Sequence, residues 1–284
     1  MKLIADSGAT KTDWALIVAP GTVQRFHTQG INPVHQTADD IRSILQQLVV
    51  QCREACDTSL PMQVFFYGAG CTPQQAPLVA QCLTTELAML ALRVQVQVFS
   101  DLMGAARALC GRQPGIACIM GTGSNSCLYD GEEILANTPP LGYILGDEGS
   151  GASLGKRLLR GLFKGLLPEH LRELFLQESG YTYPILINKV YRQPLANRFL
   201  ASLTPFISRH IDEPSLCEMV VDEFRMFFRY NLAAYGRRDL PVHFVGGVAH
   251  AFRRQLALAA EAEGYQLGQT EPAPITGLVA YHVL

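Results

Sequence analysis

The sequence predicts an α/β protein of two domains, and three observations support this prediction. Apolar runs and a compact turn at residues 3–28 indicate antiparallel strands, and helix-spaced and strand-like patterns then alternate up to residue 110. Breaker residues at 111–115 end this pattern, and residues 116–129 repeat the order of strand, glycine-rich turn and strand. The length of 284 residues suits two cores better than one. We therefore expect a mixed sheet flanked by helices in each half.

The breaker segment sets the expected domain boundary. The first domain covers residues 1–112 and the second covers residues 113–284, with a helical insertion around 155–235. A last helix near residues 275–284 could pack back on the first domain. The two similar hairpins, one opening each half, suggest an internal duplication.

Charge and cysteine usage restrict the class of protein. With 23 Lys and Arg against 25 Asp and Glu, the formal net charge is -2, which gives no basic signature for nucleic acid or an anionic membrane. The sequence shows no signal-peptide pattern and no apolar run of about eighteen residues, so we expect a cytoplasmic protein. The eight Cys form no Cys-x-x-Cys pair and lie mostly in apolar runs, which predicts buried, reduced thiols.

The first turn, residues 6–12, joins the first two predicted strands. Gly8 lets the backbone bend, so that N–H groups and hydroxyls could point at one oxyanion, and Lys11 adds a cation. Asp6 stands at the strand end, where a carboxylate can hold Mg²⁺ through water. A strand follows the turn, which excludes a Walker A loop, and a plain surface hairpin is an equal alternative. The hydroxyl-bearing residues of this turn are Ser7, Thr10 and Thr12.

The rest of the first half predicts helices at 39–56 and 76–92 and strands at 64–67 and 94–99. Asn32 precedes a proline and reads as a turn residue, although its amide also suits a sugar hydroxyl. Asp101 follows the strand 94–99 and precedes a helix over 102–110. A carboxylate beyond a strand end can take a proton from a hydroxyl, but Asp is also a common N-cap. Local sequence leaves both roles open.

The second turn, residues 121–125, lacks the third Gly of a dinucleotide-binding fingerprint, because Ser126 occupies that position. Its backbone and its hydroxyls at Thr122, Ser124 and Ser126 suit a phosphate, and an ordinary hairpin is the alternative.

The glycine-rich segment, residues 141–152, is costly to order unless its backbone approaches something closely, so we interpret it as a substrate loop. Its acids Asp147 and Glu148 could accept hydrogen bonds from a polyol, or could simply lie near the positive end of the next helix.

Residues 153–235 are expected to be mainly helical. Within them Lys156, Arg160 and Lys164 share one helix face, which predicts a solvated face. Further on, a strand enters the pair Gly246 and Gly247, which is expected to open a helix ending near residue 263. A planar ring or a phosphate could approach that backbone, and a tight strand-to-helix turn is the alternative.

Taken in order, the first turn, Asp101, the second turn, residues 146–150 and residues 245–248 resemble the N-acetylglucosamine kinase family. This family belongs to the BadF/BadG-type branch of the actin, sugar kinase and Hsp70 ATPase superfamily, and the resemblance covers nearly the whole chain. It implies two ribonuclease-H-like domains with an interdomain cleft. It also implies phosphorylation of the 6-hydroxyl of an N-acetylated amino sugar, with ATP as donor, Mg²⁺ as metal and N-acetylglucosamine as the first choice of acceptor.

The resemblance implies a role for each matching residue. Asp101 would be the catalytic base, and Asp6 would serve Mg²⁺. Phosphate contacts are implied for Ser7, Gly8, Ala9, Thr10, Lys11, Thr12, Gly121, Thr122, Gly123 and Ser124, and adenosine contacts for Gly246 and Gly247. Sugar contacts are implied for Asn32, Asp101, Asn125, Gly142, Tyr143 and Asp147. Two residues depart from the family pattern, since relatives often carry Gly at the position of Ser7 and some carry Trp at that of Tyr143.

Other functions fit parts of the pattern. N-acetylmuramic acid, glucosamine or another hexose could be the acceptor, although residues 32–35 offer no Lys or Arg for a lactyl carboxylate. An ATPase activator of a radical dehydratase would need iron–sulfur ligands, for which Cys118 and Cys127 inside predicted strands are poorly placed. A non-catalytic sugar sensor is a third alternative. The expected partner is a small amino sugar, with no nucleic acid and no membrane, and a homodimer is compatible with this expectation.

Overall fold

The computed structural model describes residues 1–8, 10–19 and 21–283. Its contacts divide the chain into two compact units, unit 1 with Met1–Arg112 and Pro274–Leu284, and unit 2 with Gln113–Ala273. Each unit holds a five-stranded mixed sheet. Ala9 of the first turn lies outside the described residues. In the described part of the chain, none of the helices combines the length and the apolar character needed to cross a membrane.

The strands alternate with helices as the sequence predicts. The strands are β1 Lys2–Ser7, β2 Lys11–Ala19, β3 Thr22–Gln29, β4 Met62–Gly68, β5 Val94–Ser100, β6 Gly115–Met120, β7 Ser124–Tyr129, β8 Ile134–Ala136, β9 Val242–Val245 and β10 Leu267–Glu271. The helices are α1 Ala38–Cys52, α2 Ala76–Leu87, α3 Asp101–Cys110, α4 Gly142–Leu145, α5 Gly151–Phe163, α6 Glu169–Ser179, α7 Tyr183–Tyr191, α8 Ala196–Ala201, α9 Thr204–Arg209, α10 Pro214–Phe227, α11 Gly247–Ala251, α12 Arg253–Ala262 and α13 Ile275–Val283. The α/β class with mixed sheets is confirmed.

The sheet of unit 1 has the order β3-β2-β1-β4-β5. The first three strands are antiparallel neighbours, whereas β1, β4 and β5 run parallel. Their register sets Ser7 opposite Gly68, and Gly68 opposite Ser100. The carboxyl ends of these three strands therefore lie in one row, which is the edge where open α/β sheets bind ligands.

Helices cover both faces of this sheet because side chains alternate along each strand. Leu3 packs into the cluster that includes residues of α1 and α2, and the neighbouring Ile4 packs into the cluster with α13. A capping box at Thr37 and Asp40 begins α1. The C-terminal helix α13 joins unit 1 through His282, whose ring stacks on Phe65 at 3.8 Å.

The sheet of unit 2 has the order β10-β9-β6-β7-β8, with β6, β9 and β10 parallel. Its core is rich in aromatic rings, and Phe227 and Phe228 both pack against Phe244 at 5.8 Å between ring centroids. Burial of such rings is a large apolar contribution to the stability of this unit. Of the eight free thiols, six are buried and Cys56 and Cys217 are half-buried, largely as the sequence predicts.

Three local predictions are corrected. Asp101 is not the N-cap of α3, because the Ser100 hydroxyl accepts the hydrogen bond from the Met103 N–H and Asp101 is the first helical residue. The helix expected from Gly247 to residue 263 is two helices, since Phe252 leaves helical geometry at ψ 30° and buries its ring against Phe224. The glycine-rich segment is not all loop, because it contains α4 and the start of α5.

Candidate active site

Three carboxylates lie near one another at the strand edge of unit 1. Asp6 and Asp13 are directly opposite each other in the β1–β2 register, and Asp101 follows the end of β5. Burial, and next the negative charges of Asp13 and Asp101, raise the pKa of Asp6 to about 7, against the opposing effect of Lys11. Burial also raises the pKa of Asp101, although the N–H of Leu102 donates to its Oδ1 at 2.9 Å. The edge thus concentrates acids that a cation would stabilise.

Sequence reasoning missed Asp13, which the structure places inside this group. Its carboxylate is buried and lies 2.8 Å from Lys11 Nζ and 2.6 Å from His27 Nδ1. Asp13 therefore orients Lys11, the cation of the first turn. The sequence signal was available, because the antiparallel hairpin that the sequence predicts sets Asp13 opposite Asp6.

The first turn is closed by the Gly8 N–H, which donates to the Lys11 carbonyl at 3.0 Å. Its predicted inner hydroxyls do not face solvent. Ser7 and Thr12 are fully buried, their hydroxyls are 2.7 Å apart, and the Ile31 N–H donates to Ser7 Oγ at 2.9 Å. These two hydroxyls hold the turn to the neighbouring strand and loop, and a phosphate contact of Ser7 and Thr12 stays a prediction. Thr10, in contrast, is exposed.

Asn32 lies in the loop after β3 and is half-buried. Its Oδ1 accepts the Val34 N–H at 3.0 Å, which is the turn arrangement, and its own N–H donates to Gln36 Oε1 at 2.7 Å. Oδ1 also lies against Gly70, where a side chain would collide with it. Asn32 therefore uses its amide oxygen to stabilise the turn, and its side chain lies beside the end of β4.

The second turn is held by backbone bonds. The Gly121 N–H donates to the Gly123 carbonyl at 2.9 Å, and the start of α5 donates from Gly151 to the Gly121 carbonyl at 2.8 Å and from Ala152 to the Thr122 carbonyl at 3.1 Å. Thr122 remains half-exposed. The turn therefore has fixed backbone and one accessible hydroxyl.

Two hydroxyls predicted to face a phosphate in this region are buried. Ser124 Oγ donates to the Glu148 carbonyl at 2.8 Å, and the Ser126 hydroxyl lies 2.8 Å from the Tyr235 hydroxyl. The Ser124 hydroxyl fastens the strand β7 to the glycine-rich segment, and a phosphate contact of Ser124 stays a prediction. Asn125 uses its Oδ1 as acceptor for the Ser126 N–H and for Asn137 Nδ2.

Asp147 is one of two residues other than Gly in the glycine-rich segment that have a positive φ, the other being Leu141. It has φ 56°, a left-handed conformation that is uncommon outside Gly, and such outliers cluster at functional sites. Its Oδ1 accepts the Ser124 N–H at 3.3 Å, and burial raises its pKa. Gly142 is exposed and Tyr143 is half-buried in α4, and the Tyr143 carbonyl accepts from Lys156 Nζ.

Glu223 braces this segment and was not predicted. Its buried carboxylate accepts the Gly149 N–H at 3.0 Å and pairs with Arg157 at 3.2 Å. The available signal was a charged residue on the apolar face of α10, in line with Val220, Phe224 and Phe227. A buried acid on such a face needs partners, and here those partners are parts of the candidate site.

Gly246 and Gly247 differ in their surroundings. Gly246 has φ 129°, and a side chain there would overlap the carbonyl of Met120. Around Gly247 there is open space, and this residue lines a cavity of about 550 Å³ together with Thr122 and Thr204. The volume lies in the range of small-ligand pockets, and its lining is mixed apolar and polar. The other lining residues are Gly121, Ala201, Pro205, Ser208, Val248, Ala251 and Phe252.

The fit of ATP and Mg²⁺ to these residues differs between the two units. The cavity of unit 2 offers glycine backbone, hydroxyls and apolar side chains, which suits a nucleoside. In unit 1 the carboxylates that raise the pKa of Asp6 suit a divalent cation, yet no group of three His, Cys, Asp or Glu in the described chain is arranged as a metal site. Protein ligands alone would not suffice, as is common for Mg²⁺ bound with a nucleotide.

No family model and no curated protein sequence matches the chain. Among solved structures, a Porphyromonas gingivalis protein described as a candidate N-acetylglucosamine kinase is 47% identical, with a TM-score of 0.91 over 100% of this chain and 99% of its own. A Chromobacterium violaceum protein with the same description is 19% identical, with a TM-score of 0.75 over 99% and 98%. A hexokinase of the ROK group from Thermus thermophilus is 14% identical, with a TM-score of 0.55 over 98% and 96%.

The two distant structures support the fold alone. The Porphyromonas gingivalis structure is similar over nearly its full length, at an identity that shows common family membership. The chain belongs to the N-acetylglucosamine kinase family.

Proposed function

We propose that this protein transfers the γ-phosphoryl group of ATP to the 6-hydroxyl of N-acetylglucosamine. The observation that carries the proposal is Asp101, an acid beyond the end of β5 whose capping role is taken by Ser100. Freed from that role, its carboxylate is available for a substrate hydroxyl at the strand edge. We choose phosphoryl transfer to N-acetylglucosamine as the reaction because the chain belongs to the N-acetylglucosamine kinase family.

The first step is removal of the hydroxyl proton. Asp101 Oδ2 accepts the proton of the 6-hydroxyl as the oxygen attacks phosphorus, while Oδ1 keeps its bond from the Leu102 N–H. A carboxylate with a pKa raised by burial is a better base than an exposed one, because its proton affinity lies closer to that of the reacting group. General-base assistance is typically worth about 10²–10⁴-fold in rate.

Positioning and charge neutralisation account for most of the remaining effect. Lys11, held by Asp13, and the N–H groups of the two turns would receive phosphate oxygens, and the 550 Å³ cavity would take the adenosine. Asp6 would hold Mg²⁺ through water, and the ion would offset the negative charge of the phosphates. Ionisation of Asp6 is thus a condition for metal binding.

The glycine-rich segment is the proposed sugar loop. Asp147 carries a raised pKa and a strained backbone, and Tyr143 lies in the adjacent α4. We assign Asp147 to a sugar hydroxyl, and Gly142 with Tyr143 to the acetylamino side of the ring. Asn32 keeps its Nδ2 group for a further sugar hydroxyl, since Oδ1 is engaged by Val34. Asn125 is a weaker candidate because Oδ1 already accepts two bonds.

Coupled ADP release tests this proposal. The purified protein is assayed with Mg²⁺ and ATP against N-acetylglucosamine, N-acetylmannosamine, N-acetylmuramic acid, glucosamine and glucose. We expect the highest kcat/KM with N-acetylglucosamine and a 6-phosphate product by NMR. Preference for another sugar would overturn the assigned substrate, and absence of sugar-dependent ADP release with all five would overturn the kinase itself.

A further inference from the structure

A groove on unit 2 lies apart from the residues assigned to ATP and sugar. It has a volume of about 350 Å³ and is formed by α5, α7 and α8. Its floor is apolar, with Leu186 and Leu200 buried, and its sides carry Phe163, Tyr183 and Tyr191. A cavity of this size is in the range of small-molecule sites.

The helix α7 leaves most of its apolar surface unpaired. Leu186 is its only buried side chain, and Tyr191 is 74% exposed. Exposed aromatic and aliphatic residues collected on one helix are unusual for a surface without a partner. The groove therefore has the properties of a binding surface.

Charge decides which kind of partner fits. Lys156, Arg160 and Lys164 line the groove at i, i+4 spacing, a like-charge pattern that opposes helix formation. The segments 151–168 and 180–211 contain no Asp or Glu. Within the described chain, Arg160 and Lys164 form no ion pair. A second copy docked face to face would bring these cations together, and a flat membrane would not fill a concave groove.

Lys156 links this groove to the glycine-rich segment. Its Nζ donates to the Tyr143 carbonyl, and its positive charge opposes the effect that burial has on Asp147. An anion in the groove would compete for the same Nζ. The proposed sugar loop would then lose one of its contacts.

We propose that the groove binds a small amphipathic anion, an alkyl or aryl phosphate or carboxylate, and that the bound anion draws Lys156 away from Tyr143 and weakens sugar binding. The second half of this proposal rests on the proposed kinase function. The first half depends only on the groove.

Isothermal titration of the intact protein, without ATP or sugar, tests the site. The probes are octyl phosphate below its micelle concentration, octanoate, inorganic phosphate and 1-octanol. We expect octyl phosphate to bind at least about tenfold more tightly than inorganic phosphate or 1-octanol, since both headgroup and chain contribute. Octanoate separates a general anion site from a phosphate site, and tight binding of either chain-bearing anion supports the proposal.

Variants locate the binding. The double variant Arg160→Ala/Lys164→Ala should weaken octyl phosphate at least about tenfold, whereas Arg53→Ala/Arg93→Ala, with the same charge change on exposed residues of unit 1, should not. Val190→Asp should weaken the contact between the groove and the octyl chain of octyl phosphate. Equal binding by all these variants, or binding no tighter than that of 1-octanol, would overturn the site.

Steady-state kinetics test the coupling. Octyl phosphate should raise the KM for N-acetylglucosamine in the wild type and leave it unchanged in Arg160→Ala/Lys164→Ala. Lys156→Gln should start with a raised KM and show no further rise. Binding without a change in KM would overturn the coupling alone, and lack of kinase activity with intact binding would overturn the proposed function while the site stands.

Discussion

The first turn of unit 1 and the second turn of unit 2 have the same strand–turn–strand layout, but different bonds hold them. In the first, the buried hydroxyls of Ser7 and Thr12 bond each other and the loop at Ile31. In the second, N–H groups from the start of α5 bond the carbonyls of Gly121 and Thr122. The two turns therefore share a sequence pattern, but side-chain hydroxyls stabilise the first turn and backbone hydrogen bonds stabilise the second.

The strand edges beside these turns differ as well. The edge of unit 1 carries Asp6, Asp13 and Asp101, whereas the edge of unit 2 carries Gly246 and Gly247 beside a cavity. Charge at one edge and open backbone at the other indicate different tasks. We expect substitutions in unit 1 to affect proton and metal chemistry, and those in unit 2 to affect nucleotide binding.

The largest effect should come from Asp101→Asn. The amide keeps the shape and can still accept the Leu102 N–H, but it cannot take the hydroxyl proton. Turnover should fall at least about 10²-fold while the Kd for ATP and the unfolding midpoint change little. Stopped-time assays of kcat, ATP titration and urea unfolding measure the three quantities. The control Asp39→Asn, at the exposed start of α1, should retain normal kcat; near-normal kcat in Asp101→Asn would exclude the base role.

The next effect tests the glycine edge of unit 2. Gly246→Ala places a methyl group against the Met120 carbonyl at φ 129°, which should destabilise the protein by at least about 1–3 kcal/mol. The movement needed to relieve this overlap should also weaken ATP binding. Urea unfolding and ATP titration measure both effects.

Gly247→Ala is the matched control for stability. Its added methyl group enters open space, so the unfolding free energy should stay within about 0.5 kcal/mol of wild type. ATP affinity should fall because Gly247 lines the cavity. Equal stability of the two variants would show that the close approach at Gly246 does not constrain the strand edge.

The third prediction separates the inner and outer hydroxyls of the first turn. Ser7→Ala leaves the buried Ile31 N–H without its acceptor, which should cost about 1–3 kcal/mol of unfolding free energy. At a temperature where the variant is folded, its KM for ATP should be close to normal. The opposite result, normal stability with a raised KM, would restore Ser7 as a phosphate contact.

Thr10→Ala should behave in the reverse way. Thr10 is exposed at the tip of the first turn, so its loss should change stability by no more than about 0.5 kcal/mol. We expect the KM for ATP to rise several-fold, because the exposed Thr10 hydroxyl is the proposed phosphate contact at the tip. An unchanged KM would restrict phosphate binding in this turn to the backbone and Lys11.

The sequence predicts most of the fold because strand and helix patterns are local properties. It also indicates the acids Asp6 and Asp101 at strand ends, because an acid at the end of an apolar run, or directly after it, can be recognised from the sequence alone. Hydroxyl direction is not visible in this way. Ser7 and Thr12 fall opposite each other across β1 and β2, and the Ile31 N–H that donates to Ser7 comes from the loop after β3, outside this hairpin.

The same limit applies in unit 2. The cavity combines Thr122 with Thr204 and Ser208 of α9, which are distant in sequence and carry no motif. Glu223 was recognisable as an acid on an apolar helix face, but its role required the position of Gly149. Local patterns therefore predict the elements, and contacts between distant elements decide which side chains reach the site.

The smallest expected effect concerns the acids of unit 1 and depends on pH. The pKa of Asp6 is raised to about 7 in the folded protein, mainly by burial, whereas an unfolded Asp titrates near about 3.9. Between these values the folded chain holds a proton that the unfolded chain has lost. Stability from this group is therefore complete below about pH 4 and falls as pH rises towards 7.

Asp6→Asn removes this titration and isolates its contribution. Without metal, the unfolding free energy of the variant relative to wild type should increase from pH 4 to pH 7 and then level off. Urea unfolding at several pH values measures this difference. Asp13→Asn should lower the pKa of Asp6, because the Asp13 charge raises it, and so move the pH-dependent interval downward. A difference between Asp6→Asn and wild type that is constant over the interval would mean that the pKa of Asp6 is not raised, and the contrast with the neutral glycine edge of unit 2 would then rest on Asp101 alone.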